Sequence, residues 1–295
     1  MVTSWFCWLV RPECLFGDSW AGRRWERARA TWQWRSLSTD SDMYPVLFRV
    51  GSFEVTSFGA MVAVAALVGL WLFRRELRLS GLPIDATDAG IIGVIGGLLG
   101  AKLLWTVEHA SEAPISDLLF SRGGLSWYGG LIGGVGAGLA CIVLKGWPVV
   151  RTLSAATPSL AFGHLLGRIG CFLVGDDYGT PSNLPWAVAF PEGLPPTTVP
   201  VHPTQLYEAV GLGVLGWLVL RWRRSRVPDR IILGRYLVGA GLLRFVIEFI
   251  RVNQRVAFGL STAHLVSLAA LAVGTGMLVV SQPARRTVSS DWNRS

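Results

Sequence analysis

The chain has 295 residues, of which 51% are hydrophobic and only 16% charged, against about 25% charged in an ordinary soluble domain. That composition excludes a soluble enzyme and describes an integral membrane protein. The formal net charge of +8 does not mark a nucleic-acid binder, because the basic residues lie between apolar segments, as they do in cytoplasmic loops.

Residues 1–42 differ from the rest of the chain. They hold six tryptophans, at positions 5, 8, 20, 25, 32 and 34, the basic run RRWERAR and a polar SLSTDSD. Their apolar opening, SWFCWLV, is too short for a secretory signal, and no small-residue cleavage site comes cleanly after it. Two readings stand. One is an interfacial Trp/Arg anchor; the other is that translation starts at Met43, where the interpretable sequence MYPVLFRVG begins. The expected division is a 1–42 extension, a 43–282 membrane domain and a 283–295 cytoplasmic tail.

Seven apolar stretches suit helices that cross a hydrocarbon core about 30 Å thick. They run over 57–73, 89–107, 125–144, 153–174, 203–220, 231–250 and 260–280. The fold expected is therefore an all-α, seven-helix integral membrane protein. The connecting charges alternate. RRELR follows the first span, residues 108–122 are net acidic, and Lys145 and Arg151 flank the next short loop. The long loop 175–202 carries Asp176, Asp177 and Glu192 with no Lys or Arg, whereas RWRRSR follows the fifth span. The positive-inside rule then sets the amino terminus outside and the carboxyl terminus in the cytoplasm. Arg251 and Arg255 are exceptions on the outer side, so either the topology fails there or those arginines face a ligand.

Glycines recur at helical spacing in GIIGVIGGLLGAK (90–102) and GGLIGGVGAG (129–138), the pattern of closely approaching helices. The polar residues inside spans carry more information. Arg168 lies in SLAFGHLLGRIGCFLV and Arg244 in YLVGAGLLRFVIEFIR. A guanidinium cannot shed its charge, and at a bilayer midplane it costs at least roughly 2.5–3.5 kcal/mol. Such residues face a polar cavity and meet an anion there, and the abundant anion of a membrane is a lipid phosphate.

Spacing groups other residues with them. Arg244, Glu248 and Arg251 share one helix face at i, i+4 and i+7, so Glu248 can pair with either arginine; a structural ion pair between helices is the plainer reading. In HPTQLYE, Pro203 suits a first helical turn, and His202, Gln205 and Glu208 cluster near it as caps or ligands. His164 is one turn before Arg168, where packing is its commoner use. Lys102 in GAKLLW, Ser126 and Tyr128 in SWYGGLIGG, and Cys171, Asp176 and Tyr178 in GRIGCFLVGDDYG complete the candidates. Cys7, Cys14, Cys141 and Cys171 show no metal spacing. No metal, cofactor or nucleic-acid partner is expected.

GGLSWYGGLIGG, GRIGCFLVGDDYG, HPTQLYE and RFVIEFIR, in this order over about 43–280, resemble the motifs of the prolipoprotein diacylglyceryl transferase family. The resemblance implies a bacterial inner-membrane enzyme. Such an enzyme moves the diacylglyceryl group of phosphatidylglycerol to the lipobox cysteine thiol of a preprolipoprotein and releases glycerol 1-phosphate. It implies that Arg168 is the lipid-binding arginine of the GRIGNF-type motif and Arg244 the essential arginine of RFxxEFxR. Lys102, Glu248, Arg251, Asp176 and Gln205 join the lipid-binding set. The acceptor of the thiol proton stays open between His202, the better base, and Tyr128, the better placed.

The chain departs from the family pattern at several positions. Cys171 stands for the usual asparagine, Tyr128 for a frequent histidine, Asp176 for glutamate and Lys102 for arginine. Ala240 and Phe58 stand where tyrosines are expected. Positive charge survives throughout, while several hydroxyl and amide groups do not, which leaves a non-catalytic phospholipid-binding or transporting paralogue as the alternative. The acidic, proline-rich loop 175–202 reads equally as a docking lid and as an ordered connector.

Overall fold

The computed structural model describes residues 46–280 apart from 51, 52, 122, 123 and 254. The 1–42 extension and the 283–295 tail lie outside the described residues. A β-hairpin of β1 (Val46–Val50) and β2 (Phe53–Thr56) leads into α1 (Ser57–Leu79). Then come α2 (Thr87–Glu108), the short α3 (Ile115–Phe120), α4 (Trp127–Leu144) and α5 (Val149–Val174). A second hairpin, β3 (Val188–Phe190) with β4 (Thr197–Val201), precedes α6 (Thr204–Arg224) and α7 (Asp229–Glu248). A third, β5 (Arg255–Ala257) with β6 (Leu260–Ser261), leads into α8 (Thr262–Val280).

Among the described residues, five helical segments are long and apolar enough to cross a membrane: Ser57–Leu79, Ile84–Glu108, Trp127–Leu144, Val149–Val174 and Thr262–Val280. The chain is thus a mainly helical, multi-pass membrane protein. α6 and α7 match the fifth and sixth expected spans in position and length, but their charges, Glu208, Arg221, Arg223 and Arg224 on one and Asp229, Arg230, Arg235, Arg244 and Glu248 on the other, lower their hydropathy. The three hairpins are the departure from an all-helical expectation. Each leads into a helix, where a short ladder satisfies backbone groups that no helix supplies.

Packing follows the small-residue pattern. α2 and α4 meet through glycine: a Cβ on Gly100 would overlap the Gly129 carbonyl oxygen, and one on Gly129 would overlap that of Gly100. Large apolar side chains of these helices, among them Leu99, Leu103 and Ile132, face outward, as a lipid solvent requires. α5 shows the converse and buries Thr152, Ser154, Ala155, Thr157 and Ala161. Pro158 interrupts it without ending it. The proline offers no N–H to the Ser154 carbonyl, and the Thr157 hydroxyl donates to that oxygen instead at 2.8 Å.

Arginine clamps α6 to its neighbours near its carboxyl end. Arg223 lies 2.6 Å from Glu76 of α1 and donates to the Ser154 hydroxyl of α5 at 3.0 Å and the Ser80 hydroxyl at 2.5 Å. Between α5, α6 and α7 lies an apolar cluster of Ala161, Leu215, Val219, Ile232 and Tyr236. Beyond it, about 22 Å along α6 from Arg223 at helical rise, lies a second and larger group of charges.

Candidate functional site

The second group forms where α5 ends, α6 begins and α7 ends. α5 stops on Gly175 at φ +66, with the Gly175 N–H bonded to the Phe172 carbonyl and the Asp176 N–H to that of Cys171, the two bonds of a Schellman stop. Asp177 follows at φ +65, a left-handed conformation that aspartate tolerates better than most side chains. α6 holds this turn. The Gln205 amide donates to the Asp176 carbonyl at 2.5 Å, and the Thr204 hydroxyl to the Asp177 carbonyl at 2.9 Å.

One strand-like rib carries the turn onward. The Gly179 N–H bonds the His202 carbonyl at 2.9 Å, and the Thr180 N–H the Ile250 carbonyl at 2.8 Å. Three segments converge so tightly that a Cβ on Gly179 would lie 2.7 Å from the Ile250 oxygen and 2.9 Å from His202 Cβ. Loop 175–202 is thereby tied to both α6 and the end of α7.

Six charged side chains close into a ring. Arg168 Nη1 is 2.7 Å from Asp177 Oδ2, and its Nε is 3.0 Å from Glu208 Oε2. The same Glu208 oxygen meets Arg244 Nη1 at 3.0 Å, and Arg244 Nη2 meets Glu248 Oε2 at 2.9 Å. Glu248 Oε2 is 3.8 Å from Arg251 Nε, and Arg251 Nη2 closes the circuit on Asp177 Oδ1. Positive and negative alternate all the way round, three of each.

Burial within the ring is uneven. The side chains of Arg168, Arg251, Glu208 and Glu248 are 4%, 3%, 2% and 0% exposed, those of Arg244 and Asp177 17% and 37%. Glu248 Oε1 is further fixed by the Asn253 amide and the Ser261 hydroxyl, both at 2.6 Å. His164 flanks the ring: its Nε2 accepts from Arg168 Nε at 3.3 Å and lies 3.5 Å from Glu208. Beside this charge, burial opposes ionisation of Asp177, but the guanidinium groups of Arg251 and Arg168 outweigh it and hold the carboxyl below its ordinary pKa. Asp176 is shifted the other way, pushed up by burial and then by the Asp177 charge.

Of the residues expected from sequence, Arg168, Arg244, Glu248 and Arg251 share the ring, and Gln205 and Asp176 support it through the bond from the Gln205 side-chain amide to the Asp176 carbonyl. Lys102 lies elsewhere, donating to Ser121 at 2.8 Å and 4.8 Å from the Trp105 ring centroid. Tyr128 stands edge-on to Trp127 at the start of α4. His202 has Nδ1 3.4 Å from the Tyr207 hydroxyl, which itself accepts from Trp186 at 2.7 Å. Ala240 packs beside the apolar cluster of α5–α7, and Phe58 lies near Gly170. Sequence reasoning did not assign Asp177 or His164 to the site, nor foresee that Glu208 is shared by two arginines.

Fold and ring together define a multi-pass membrane protein with a buried, charge-compensated arginine site at one end of its helices. The family model described as prolipoprotein diacylglyceryl transferase matches residues 45–280. A phosphatidylglycerol–prolipoprotein diacylglyceryl transferase of Clostridium tetani is 32% identical over 239 residues, covering 79% of this chain and 95% of the relative. The like-named proteins of Geobacter sulfurreducens and Methylococcus capsulatus are 35% and 32% identical, covering 70% and 82% of this chain and 82% and 96% of their own. The chain belongs to the prolipoprotein diacylglyceryl transferase family and is a transferase.

Proposed function

We propose that this chain transfers the diacylglyceryl group of phosphatidylglycerol to the lipobox cysteine of preprolipoproteins in the bacterial inner membrane, the first step of lipoprotein maturation. The observation that carries the reading is the gathering of Arg168, Arg244 and Arg251 into one ring in a chain matched by the transferase family model.

The chemistry follows from the charges. A cysteine thiolate attacks the glyceryl carbon that bears the phosphate ester. The new C–S bond forms as the C–O bond breaks, and its electron pair stays on the phosphate oxygen, so glycerol 1-phosphate leaves. Arg168 and Arg244 bind the head group and stabilise the growing phosphate charge. Glu208 and Glu248 orient these two guanidinium groups, and Arg251 adds a third buried guanidinium to the head-group site. Asp176 and Gln205 set the turn beside the lipid, while Lys102 provides positive charge farther off.

The thiol must lose its proton to react. His202 is assigned as the acceptor, since the backbone of its segment is bonded to Gly179 and Thr180, two and three residues from Asp177. Tyr128 opens a helix that packs on α2, and a phenol with reference pKa near 10 is a poor base. The full topology proposed has α6 and α7 also crossing, the amino terminus outside and the ring end facing out.

Expression in a bacterium depleted of its own diacylglyceryl transferase tests this. Wild-type chain lipidates a reporter lipoprotein, and Arg168→Ala, expressed to the same level in the membrane, does not. Lipidation by the arginine variant, or none by the wild type, would overturn the reading.

A further inference from the structure

The three carboxylates of the ring are not equivalent. Glu208 and Glu248 sit on helices, are 2% and 0% exposed, and each lies between two guanidinium groups. Asp177 sits on a left-handed turn after α5 and is 37% exposed. It gives one oxygen to Arg168 and the other to Arg251, the bridging arrangement in which two oxygens of a phosphate meet two arginines. Arg251 keeps donors in reserve, because its buried Nη1 has no hydrogen-bond partner among the described residues and its Nε has only the 3.8 Å ion pair with Glu248. A carboxylate offers two oxygens to such donors, and a phosphodiester offers more.

We propose that Asp177 is a resident counterion occupying the phosphate seat between Arg168 and Arg251, and that the lipid phosphodiester binds by displacing it. This rests on the transfer reading above and adds the residue that sets lipid affinity. The charge count fits a one-for-one exchange. The ring is balanced with Asp177 in place, and the phosphodiester of phosphatidylglycerol carries the same single negative charge as the carboxylate it replaces. After transfer, the phosphate has become a monoester with about −1.5 to −2 charge at neutral pH. The return of Asp177 to its seat then expels a product held by its extra charge. Before lipid arrives, Asp177 keeps Arg168 and Arg251 apart and in position, which spares the site one uncompensated positive charge between two facing guanidinium groups.

The test measures affinity on the purified full-length protein in detergent, using short-chain phosphatidylglycerol, glycerol 1-phosphate and inorganic phosphate as separate probes. Asp177→Asn removes the competing anion and keeps the shape. It should bind the short-chain lipid and glycerol 1-phosphate about tenfold more tightly than wild type, while kcat for transfer falls as product release slows. Asp177→Glu keeps the anion and should show no gain. A residue that merely braces the fold would show weaker lipid binding in both variants, and that result would overturn the proposal. Equal tightening toward inorganic phosphate would also overturn it, by reducing the seat to a site for any free anion. Asp177→Ser reads the same way as the asparagine variant, and failure of both neutral variants to fold would make Asp177 structural and end the idea. Reporter lipidation by the wild type tests the transfer reading separately, so either can fail alone.

Discussion

Glu208 holds two arginines with one oxygen, 3.0 Å from each, at a depth where its side chain is 2% exposed. Replacing it with glutamine keeps the volume and removes the shared charge. Breaking a buried pair by deleting one partner costs about 3–5 kcal/mol, so Glu208→Gln should be among the most destabilising single changes in this chain. A marked drop in Tm in detergent, larger than that of Asp176→Asn, is the expected result. Asp177 adds a pH dependence. Its folded-state pKa lies below the unfolded value of about 3.9, so its stabilisation is complete above that value and is lost as pH falls through the lower folded one. Thermal unfolding between pH 3 and 6 should show an acid loss below about pH 4 that shrinks in Asp177→Asn. The four ring members read from sequence were legible because a charge inside an apolar run has few uses. Asp177 was not, since two adjacent aspartates look alike until the backbone at φ +65 turns one of them to the arginines. Glu208 was legible only as a cap or a ligand, because acids ordinarily sit in the first turns of a helix, and its sharing by two arginines was not.

At the scale of elements, glycine sets how closely the helices approach. The α2–α4 contact was readable as small residues at helical spacing, and Gly100 and Gly129 carry it through mutual backbone contact. Gly100→Leu should drive these helices apart and cost stability without touching the ring. The check is a lowered Tm with lipid affinity per folded molecule preserved. Gly179 is a different case, since it lets the rib pass between His202 and Ile250. Gly179→Ala should move Asp177 and Arg251 relative to each other and lower transfer activity by about tenfold, as misplacement of about 1 Å can do. The hairpins escaped sequence reasoning because strands of two to five residues give too few alternations to separate from loop. The helices were legible because lipid demands some 20 apolar residues per crossing.

For the whole molecule, the ring end and the Arg223 end define a polarity. Loop 175–202 carries acids and no Lys or Arg, while Arg221, Arg223, Arg224 and Arg226 lie at the other end of α6. Single cysteines introduced at Glu192 and at Arg226, in a chain otherwise free of cysteine, should label with an impermeant maleimide from outside at the first position and only after lysis at the second. Labelling in the reverse order would invert the proposed topology. The closed ring also constrains how such a chain can change. An isolated ion pair survives an exchange of its two residues, because each charge answers only to the other. In a circuit, each charge has a neighbour on both sides. Exchanging Arg168 with Asp177 would set the new carboxylate at 168 against Glu208 and the new guanidinium at 177 against Arg251. Neither single reversal nor the paired exchange should restore lipidation, so these six positions can drift only as a set, and the links from Arg168 to Glu208, Glu208 to Arg244 and Asp177 to Arg251 join residues far apart in the chain.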